Sequence, residues 1–273
     1  MVNQIGIMQG RLLPPEDGRL QCFPRSRWAE EFKLAAMVPV AYVEWIFDQH
    51  GLETNPLMID NGVAQLRDLM SSSGVSIRSV CADYFMEYPL VRCGQSAEIL
   101  SRLLDRCHSI GVQRVVLPFV DNSAITPDEF DHVIELLHTI AEDAAHASVE
   151  IHLETSLPPL RFAELIKDLP RSVVKVNYDS GNSASLGYAV GEEFAALGAR
   201  IGSVHIKDRT TGGGTVPLGC GNADFGALFQ ELRKISYSGD FTLQVARGNE
   251  GDEVNWARHN VEFMCKYWTK AKT

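Results

Sequence analysis

The stretch GSVHIKDR, residues 202 to 209, begins as an apolar run, and its second half contains His205, Lys207, Asp208 and Arg209. In an extended strand, successive side chains point to opposite faces. Val204 and Ile206 therefore share one face, and His205 and Lys207 share the other. Buried strands of parallel sheets are rich in valine and isoleucine and rarely collect polar groups. The role of this stretch depends on where its polar face points.

Eight short apolar runs of this kind recur along the chain. They cover residues 4–9, 41–47, 75–82, 113–120, 149–155, 173–179, 201–207 and 240–246. Helical periodicity separates them, as in SAEILSRLLDRCHSIG, where apolar residues recur at steps of three and four. In TPDEFDHVIELLHTIAEDAA, Thr126 is the predicted N-cap, Pro127 the first helical residue and Glu129 the partner in a capping box.

Eight strands that alternate with helices predict an α/β fold, a single-domain (β/α)8 TIM barrel spanning residues 1–273. The main competitor is a doubly wound open sheet. Such a sheet usually has a glycine-rich turn after its first strand, and MQGRLL, residues 8–13, is not of that type.

The composition narrows the class of protein. A formal net charge of −10 opposes binding to a nucleic-acid backbone, which needs a clustered cationic face. The six cysteines include no CxxC pair, which indicates reduced thiols. The chain has no run of 18 consecutive apolar residues. Its first residues also lack the basic segment followed by a long apolar segment that is typical of a secretory leader. We expect a cytoplasmic protein that binds neither nucleic acid nor membrane.

Polar side chains stand at the ends of four consecutive predicted strands. They are Glu154, Asp179, His205 and Gln244 on strands five to eight. In a TIM barrel, the carboxyl ends of the strands face the mouth where chemistry occurs. Each residue alone is more often a loop-facing polar group or a helix cap. Together they suit one divalent ion, because oxygen donors with a single nitrogen favour Mn²⁺, Mg²⁺ or Co²⁺ and tolerate Zn²⁺.

The chain resembles the sugar phosphate isomerase/epimerase family of xylose isomerase-like TIM barrels over nearly its whole length. The moderately specific motifs are GIMQGRL at 6–12, FPRSRWAEEFKLA at 23–35, EWI at 44–46, HLETS at 152–156 and NYDSGN at 177–182. The most specific pair is HIKDR at 205–209, followed by VPLGCGNADF at 216–225. The resemblance implies a metal-dependent isomerase or epimerase of a small sugar or sugar phosphate, working through a metal-stabilised enediolate.

The resemblance also implies which residues hold the ion. They are the glutamate of strand five, the aspartate of strand six, the histidine of strand seven and a glutamate of strand eight. By position these are Glu154, Asp179, His205 and Gln244, so the fourth residue departs from the pattern. A glutamine offers an oxygen to a cation but cannot transfer a proton.

In this family the glutamates of strands five and eight look like an acid/base pair on opposite faces of the substrate. With Gln244 in place of the second, we expect Glu154 to be the base and two-base epimerisation to be weakened. Lys207 is the candidate second proton donor. It is alternatively a group that holds a substrate hydroxyl or phosphate, or a structural lysine.

Four further residues are predicted to contact substrate. Glu44 matches the acid of strand two in the family, and His152 shares the face of Glu154, although a hydrogen-bonded core histidine is the competing interpretation. Arg11 and Arg209 suit a substrate phosphate, because guanidinium forks match phosphate oxygens.

Other functions remain open at this stage. A dehydratase or lyase of a keto-sugar or keto-acid would use the same intermediate, and a sugar-binding barrel without activity would explain Gln244. Metal-dependent AP endonucleases share the barrel, but eight histidines and the acidic charge oppose that function. The oligomeric state is also open, a homo-oligomer included.

Overall fold

The eight predicted runs form parallel strands that close into a barrel in the computed structural model, which describes residues 4–50 and 52–270. The strands are β1 (Ile5–Met8), β2 (Tyr42–Ile46), β3 (Ser76–Cys81), β4 (Arg114–Phe119), β5 (Glu150–Thr155), β6 (Val174–Asp179), β7 (Ile201–Ile206) and β8 (Asp240–Leu243). Their order around the barrel is β1-β8-β7-β6-β5-β4-β3-β2, and β1 pairs with both β8 and β2. The TIM barrel prediction is confirmed.

Helices connect the strands. They are α1 (Glu30–Ala35), α2 (Gly62–Ser73), α3 (Tyr84–Glu87), α4 (Ser96–Ile110), α5 (Phe130–Ala147), α6 (Pro159–Leu165), α7 (Ser180–Leu186), α8 (Val190–Leu197), α9 (Phe225–Lys234) and α10 (Glu253–Lys270). The predicted capping box is present, since Thr126 N and Oγ1 donate to Glu129 Oε2 at 3.1 and 2.9 Å. Among the described residues, no helix is long and apolar enough to cross a bilayer.

Alternation along the strands sorts apolar and polar side chains. In β7, Val204 and Ile206 are fully buried members of the hydrophobic core. His205, between them, hydrogen-bonds to Glu44 on β2, a strand that does not neighbour β7. The polar face of the opening stretch therefore points into the barrel interior.

The amino-terminal half of the interior is filled by a polar cluster. Tyr42 donates its hydroxyl to Phe241 O at 3.0 Å and thereby links β2 to β8 across β1. Arg114 donates to the Tyr42 hydroxyl and to Asp240 Oδ2, both at 3.0 Å. These bonds fix the Tyr42 ring against Gly6, its register partner on β1.

Gly6→Ala tests this packing. A Cβ at position 6 would lie 2.2 Å from the Tyr42 ring, which its hydrogen bonds hold in place, so we expect a loss of about 1–3 kcal/mol in unfolding free energy. Urea denaturation measures the loss. Gly94→Ala is the control, because a Cβ there meets nothing within 4 Å. Equal stability of the two variants would contradict the described closure of the barrel.

Candidate active site

Three of the predicted metal ligands lie together at the carboxyl end of the barrel. Glu154, Asp179 and His205 each offer one ligand atom, and these atoms all lie within 4.8 Å of one another. His205 Nδ1 is 3.3 Å from Glu154 Oε2 and 3.9 Å from Asp179 Oδ2. This nitrogen is buried, and within the described residues 4–50 and 52–270 it has no hydrogen-bond partner. A buried ring nitrogen without a partner, beside two carboxylates, fits a group that could hold a metal ion.

Glu44 holds the other side of the His205 ring. Its Oε1 lies 2.6 Å from His205 Nε2, and its Oε2 accepts a hydrogen bond from Thr242 Oγ1 at 3.1 Å. Both Glu44 and His205 are fully buried. A carboxylate on one ring nitrogen fixes the orientation and tautomer of a metal-binding histidine. Glu44, predicted to contact substrate, is thus placed behind His205 and does not line the mouth.

The charges around His205 favour a cation. Burial alone lowers the pKa of His205, but the carboxylates of Glu44 and Glu154 outweigh it and raise the pKa to about 10. Burial likewise opposes ionisation of Glu44, yet His205 brings its pKa down to about 2. Burial raises the pKa of Asp179. The cluster is therefore stabilised by positive charge, whether a proton or a metal ion carries it.

The motif NYDSGN, residues 177–182, positions Asp179 at the start of α7. Asp179 Oδ1 accepts hydrogen bonds from the backbone N–H groups of Gly181 and Asn182, both at 2.8 Å, as an N-cap. The cap occupies one carboxylate oxygen. The other, Oδ2, faces His205 Nδ1 and Lys207.

Two asparagines fix the Glu154 carboxylate. Asn177 Nδ2 donates to Oε2 at 2.7 Å, and Asn182 Nδ2 donates to Oε1 at 2.6 Å. Asn182 also accepts hydrogen bonds from Lys207 and Arg209. Asn182 lies within NYDSGN, one of the motifs that carry the resemblance, but no strand pattern marks it as a site residue.

His152 lies deeper in the barrel than Glu154. Its Nδ1 is 2.7 Å from Ser203 Oγ and its Nε2 is 2.8 Å from Glu150 Oε2, so both ring nitrogens are engaged. The residue does not line the mouth cavity. This geometry is that of a hydrogen-bonded core histidine, the interpretation that competed with substrate contact.

Lys207 connects the three clustered residues to Gln244. Its Nζ lies 3.2 Å from Asp179 Oδ2, from Asn182 Oδ1 and from Gln244 Oε1. Gln244 follows the end of β8 and donates from Nε2 to Gln21 Oε1 at 3.0 Å. The fourth predicted metal ligand is therefore beside the cluster, with its amide oxygen directed to the lysine.

A cavity of about 360 Å³ opens at this end of the barrel. It is lined by Glu154, Lys207 and Gln244, by Asn182, Gln21 and Asp83, and by Arg11 and Arg209 among others. Its volume lies in the range of small-molecule sites. The structure thus brings both predicted arginines to the mouth.

The two arginines differ in the freedom of their guanidinium groups. Arg11 is buried and donates to Val245 O and Leu20 O, both at 2.8 Å, which ties it to the loop above β1. Burial lowers its pKa to about 10. Arg209 is half-buried and donates to Gly213 O at 3.0 Å and Asn182 Oδ1 at 2.8 Å.

Asp208 organises the loop that contains VPLGCGNADF. Its Oδ2 accepts hydrogen bonds from Gly219 N and Gly221 N, and its Oδ1 accepts one from Ala223 N. A Cβ at position 221 would lie 2.2 Å from Asp208 Oδ1, so the close approach requires glycine. The VPLGCGNADF half of the most specific motif pair is thus structural, because its bonds to Asp208 hold the loop after β7.

Glu44→Ala tests the support of His205. Removal of one partner leaves the other buried and unpaired, so we expect a loss of about 3–5 kcal/mol in unfolding free energy. Urea denaturation measures the loss, with Glu30→Ala as control, because Glu30 pairs with Arg27 at the exposed surface. Glu44→Gln keeps a side-chain oxygen, so we expect it to lose less unfolding free energy than Glu44→Ala. Similar effects of Glu44→Ala and Glu30→Ala would contradict the described burial.

Known proteins share this fold and part of this sequence. Residues 32–267 match the family model described as xylose isomerase-like TIM barrel. A putative L-ribulose-5-phosphate 3-epimerase of Haemophilus influenzae is 24% identical over 244 residues, which cover 80% of this chain and 83% of the relative. It is named as an enzyme of sugar phosphate epimerisation.

Solved structures agree on the fold. An L-ribulose 3-epimerase superposes with a TM-score of 0.74 at 18% identity, covering 99% of this chain and 96% of that one. A xylose isomerase-like TIM barrel protein of Mycobacterium smegmatis, in complex with magnesium, gives a TM-score of 0.73 at 18% identity and covers 99% and 98% of the two chains. The family match spans most of the sequence, and the chain belongs to the xylose isomerase-like TIM barrel family.

Proposed function

We propose that this protein is a divalent-metal-dependent isomerase or epimerase of a small sugar or sugar phosphate. The observation that carries the proposal is the unpartnered Nδ1 of His205, buried beside Glu154 and Asp179 at the mouth of the barrel. The name of the Haemophilus influenzae relative supports the substrate class, and the magnesium complex of the Mycobacterium smegmatis barrel supports a divalent ion.

In this proposal Glu154, Asp179 and His205 Nδ1 hold the ion, and Gln244 contributes the fourth protein ligand through its amide oxygen. The donor set of oxygens and one nitrogen suits Mn²⁺, Co²⁺, Mg²⁺ or Zn²⁺. When bound, the ion would stabilise the negative charge that develops on a substrate oxygen during proton removal from the neighbouring carbon.

Glu154 is the proposed base. Burial raises its pKa, but His205 and Lys207 outweigh burial and bring the pKa below its ordinary value. The carboxylate is therefore ionised at neutral pH and ready to accept a proton. Asn177 and Asn182 fix both of its oxygens, and Glu154 lines the mouth cavity. A fixed carboxylate within reach of a bound substrate is what general base catalysis requires.

Lys207 is the proposed second proton carrier. Gln244 cannot transfer a proton, but Lys207 Nζ lies 3.2 Å from the Gln244 amide oxygen and lines the same cavity. An ammonium group at this position donates a proton from the side of β8, while Glu154 accepts one on β5. Glu154 alone can carry a proton between neighbouring carbons on one face of the substrate, which suffices for aldose/ketose isomerisation, whereas epimerisation needs Lys207 to return the proton on the opposite face.

Arg11 and Arg209 are the proposed contacts for the polar end of the substrate. Arg209 has the freer guanidinium, because two of its nitrogens bond to the loop and to Asn182 while Arg11 is tied through three. A sugar phosphate would place its phosphate against this pair.

Glu154→Gln tests the base. We expect exchange of substrate hydrogen with heavy water to fall by about a thousandfold, because the amide keeps an oxygen but accepts no proton. Pentoses, hexoses and their phosphates are screened by NMR with added Mn²⁺, and ligand binding is measured separately by calorimetry. Glu135→Gln on the exposed face of α5 is the control. Unchanged exchange in Glu154→Gln would move the base elsewhere, and binding without exchange in the wild type would indicate a sugar-binding barrel.

Gln244→Glu tests the fourth ligand. We expect metal affinity to rise by about tenfold, because a carboxylate adds negative charge to a site for a dication. Gln244→Ala should weaken metal binding. Competition with a chelator measures the affinity of the three proteins. Equal affinities would show that Gln244 does not contact the ion, and the strand-eight assignment would then be wrong.

A further inference from the structure

A second cavity lies at the opposite end of the barrel from the mouth. This base cavity has a volume of about 820 Å³ and is lined by residues near the starts of the strands and by the loops that lead into them. Its charged lining residues are Arg78, Arg114, Glu150, Lys175 and Asp240 from the strands, and Arg171 and Arg200 from the loops. None of these residues belongs to the proposed active site.

The base cavity is cationic. Five arginine and lysine side chains line it against two carboxylates, although the chain as a whole carries a formal net charge of −10. Asp240 is shared, at 3.3 Å from Arg78 Nε and 3.0 Å from Arg114 Nη1. Glu150 pairs with Lys175 Nζ at 2.6 Å. The two carboxylates therefore leave an excess of three positive charges.

Arg171 and Arg200 carry two of these three charges, and the third arises because Arg78 and Arg114 share Asp240. Arg200 is buried, and among the described residues it donates only to the backbone carbonyls of Ile166, Leu169 and Val174, at 2.8 to 3.4 Å. Arg171 is exposed, and within residues 4–50 and 52–270 its side chain makes no hydrogen bond or ion pair. Burial lowers the pKa of Arg200, and the charge of Arg171 lowers it further, so the two like charges repel each other. An anion between them would relieve this repulsion.

We propose that the base cavity binds a small anion that carries a phosphate group. Arg171 offers an uncommitted guanidinium fork, which matches phosphate oxygens. The other cations supply the attractive field. A metal ion is disfavoured by the same charges, and an apolar ligand by the polar lining. The site is independent of the chemistry proposed for the mouth.

Charge reversal in a protein with a weakened mouth isolates the base cavity. Arg209→Glu removes a proposed phosphate contact of the mouth and is the background for both variants. Arg171 lines the base cavity, whereas Lys266 is exposed on α10 and lines neither cavity. Arg171→Glu and Lys266→Glu change the net charge equally. Inorganic phosphate is titrated into the background protein and the two variants by calorimetry at low ionic strength. We expect binding to weaken by about tenfold in Arg171→Glu, the value of one charge-assisted hydrogen bond, and to stay within about twofold of the background protein in Lys266→Glu.

A second titration with glycerol 3-phosphate identifies the source of the phosphate group. Tighter binding than that of inorganic phosphate assigns a phosphate ester, and equal or weaker binding assigns the free anion. Circular dichroism confirms that the variants are folded, which is expected because Arg171 is exposed. The proposal is overturned if the Arg209→Glu background binds neither compound, or if Arg171→Glu binds phosphate no more weakly than Lys266→Glu does.

Discussion

The hydrogen bond between His205 and Glu44 is the interaction on which the mouth of the barrel depends. Both side chains are fully buried, and neither charge would be tolerated there without the other. Because Glu44 occupies Nε2, only Nδ1 of the imidazole is available, and it faces Glu154 and Asp179. Burial of this ion pair costs free energy, but the pair holds the second ring nitrogen of His205 in a fixed direction at the site.

Two hydrogen-bonded chains run from this site through the barrel interior. One leads from Glu154 through Asn177 and Ser203 to His152 and Glu150. The other leads from His205 through Glu44, Thr242 and Tyr42 to Arg114. Polar groups this deep are stable only when each has a partner. The two chains therefore explain why the inward positions of β2, β5, β6 and β7 include so many polar residues, while most outward positions are apolar.

Alternation along the strands was sufficient to predict the barrel and to place Glu154, Asp179 and His205 in one arc. It was not sufficient to predict how deep each inward-facing side chain lies along the barrel axis. His152 and Glu44 both face inward, as alternation requires, but His152 lies deeper than Glu154, and Glu44 lies behind His205. Depth depends on the register between neighbouring strands, and the register shifts that the structure places between Val43 and Glu44 and between Val176 and Asn177 have no sequence signal.

Contacts from outside the strands were the other part that the sequence did not reveal. Asn182 reaches the mouth from α7, and Gln21 and Asp83 reach it from loops. Gln21 bridges Gln244 and Asp83. The base cavity is a similar case, because its cations come from the starts of several strands and from separate loops. Neither set is close in sequence, so only the closed barrel brings its members together.

Anomalous diffraction from crystals soaked in Zn²⁺ tests most directly whether Glu154, Asp179 and His205 hold one divalent ion. We expect a single strong peak at the mouth, about 2.1 Å from His205 Nδ1 and within bonding distance of both carboxylates. Absence of a peak among these three residues, with His205 Nδ1 still facing two carboxylates that bind no ion, would contradict the account.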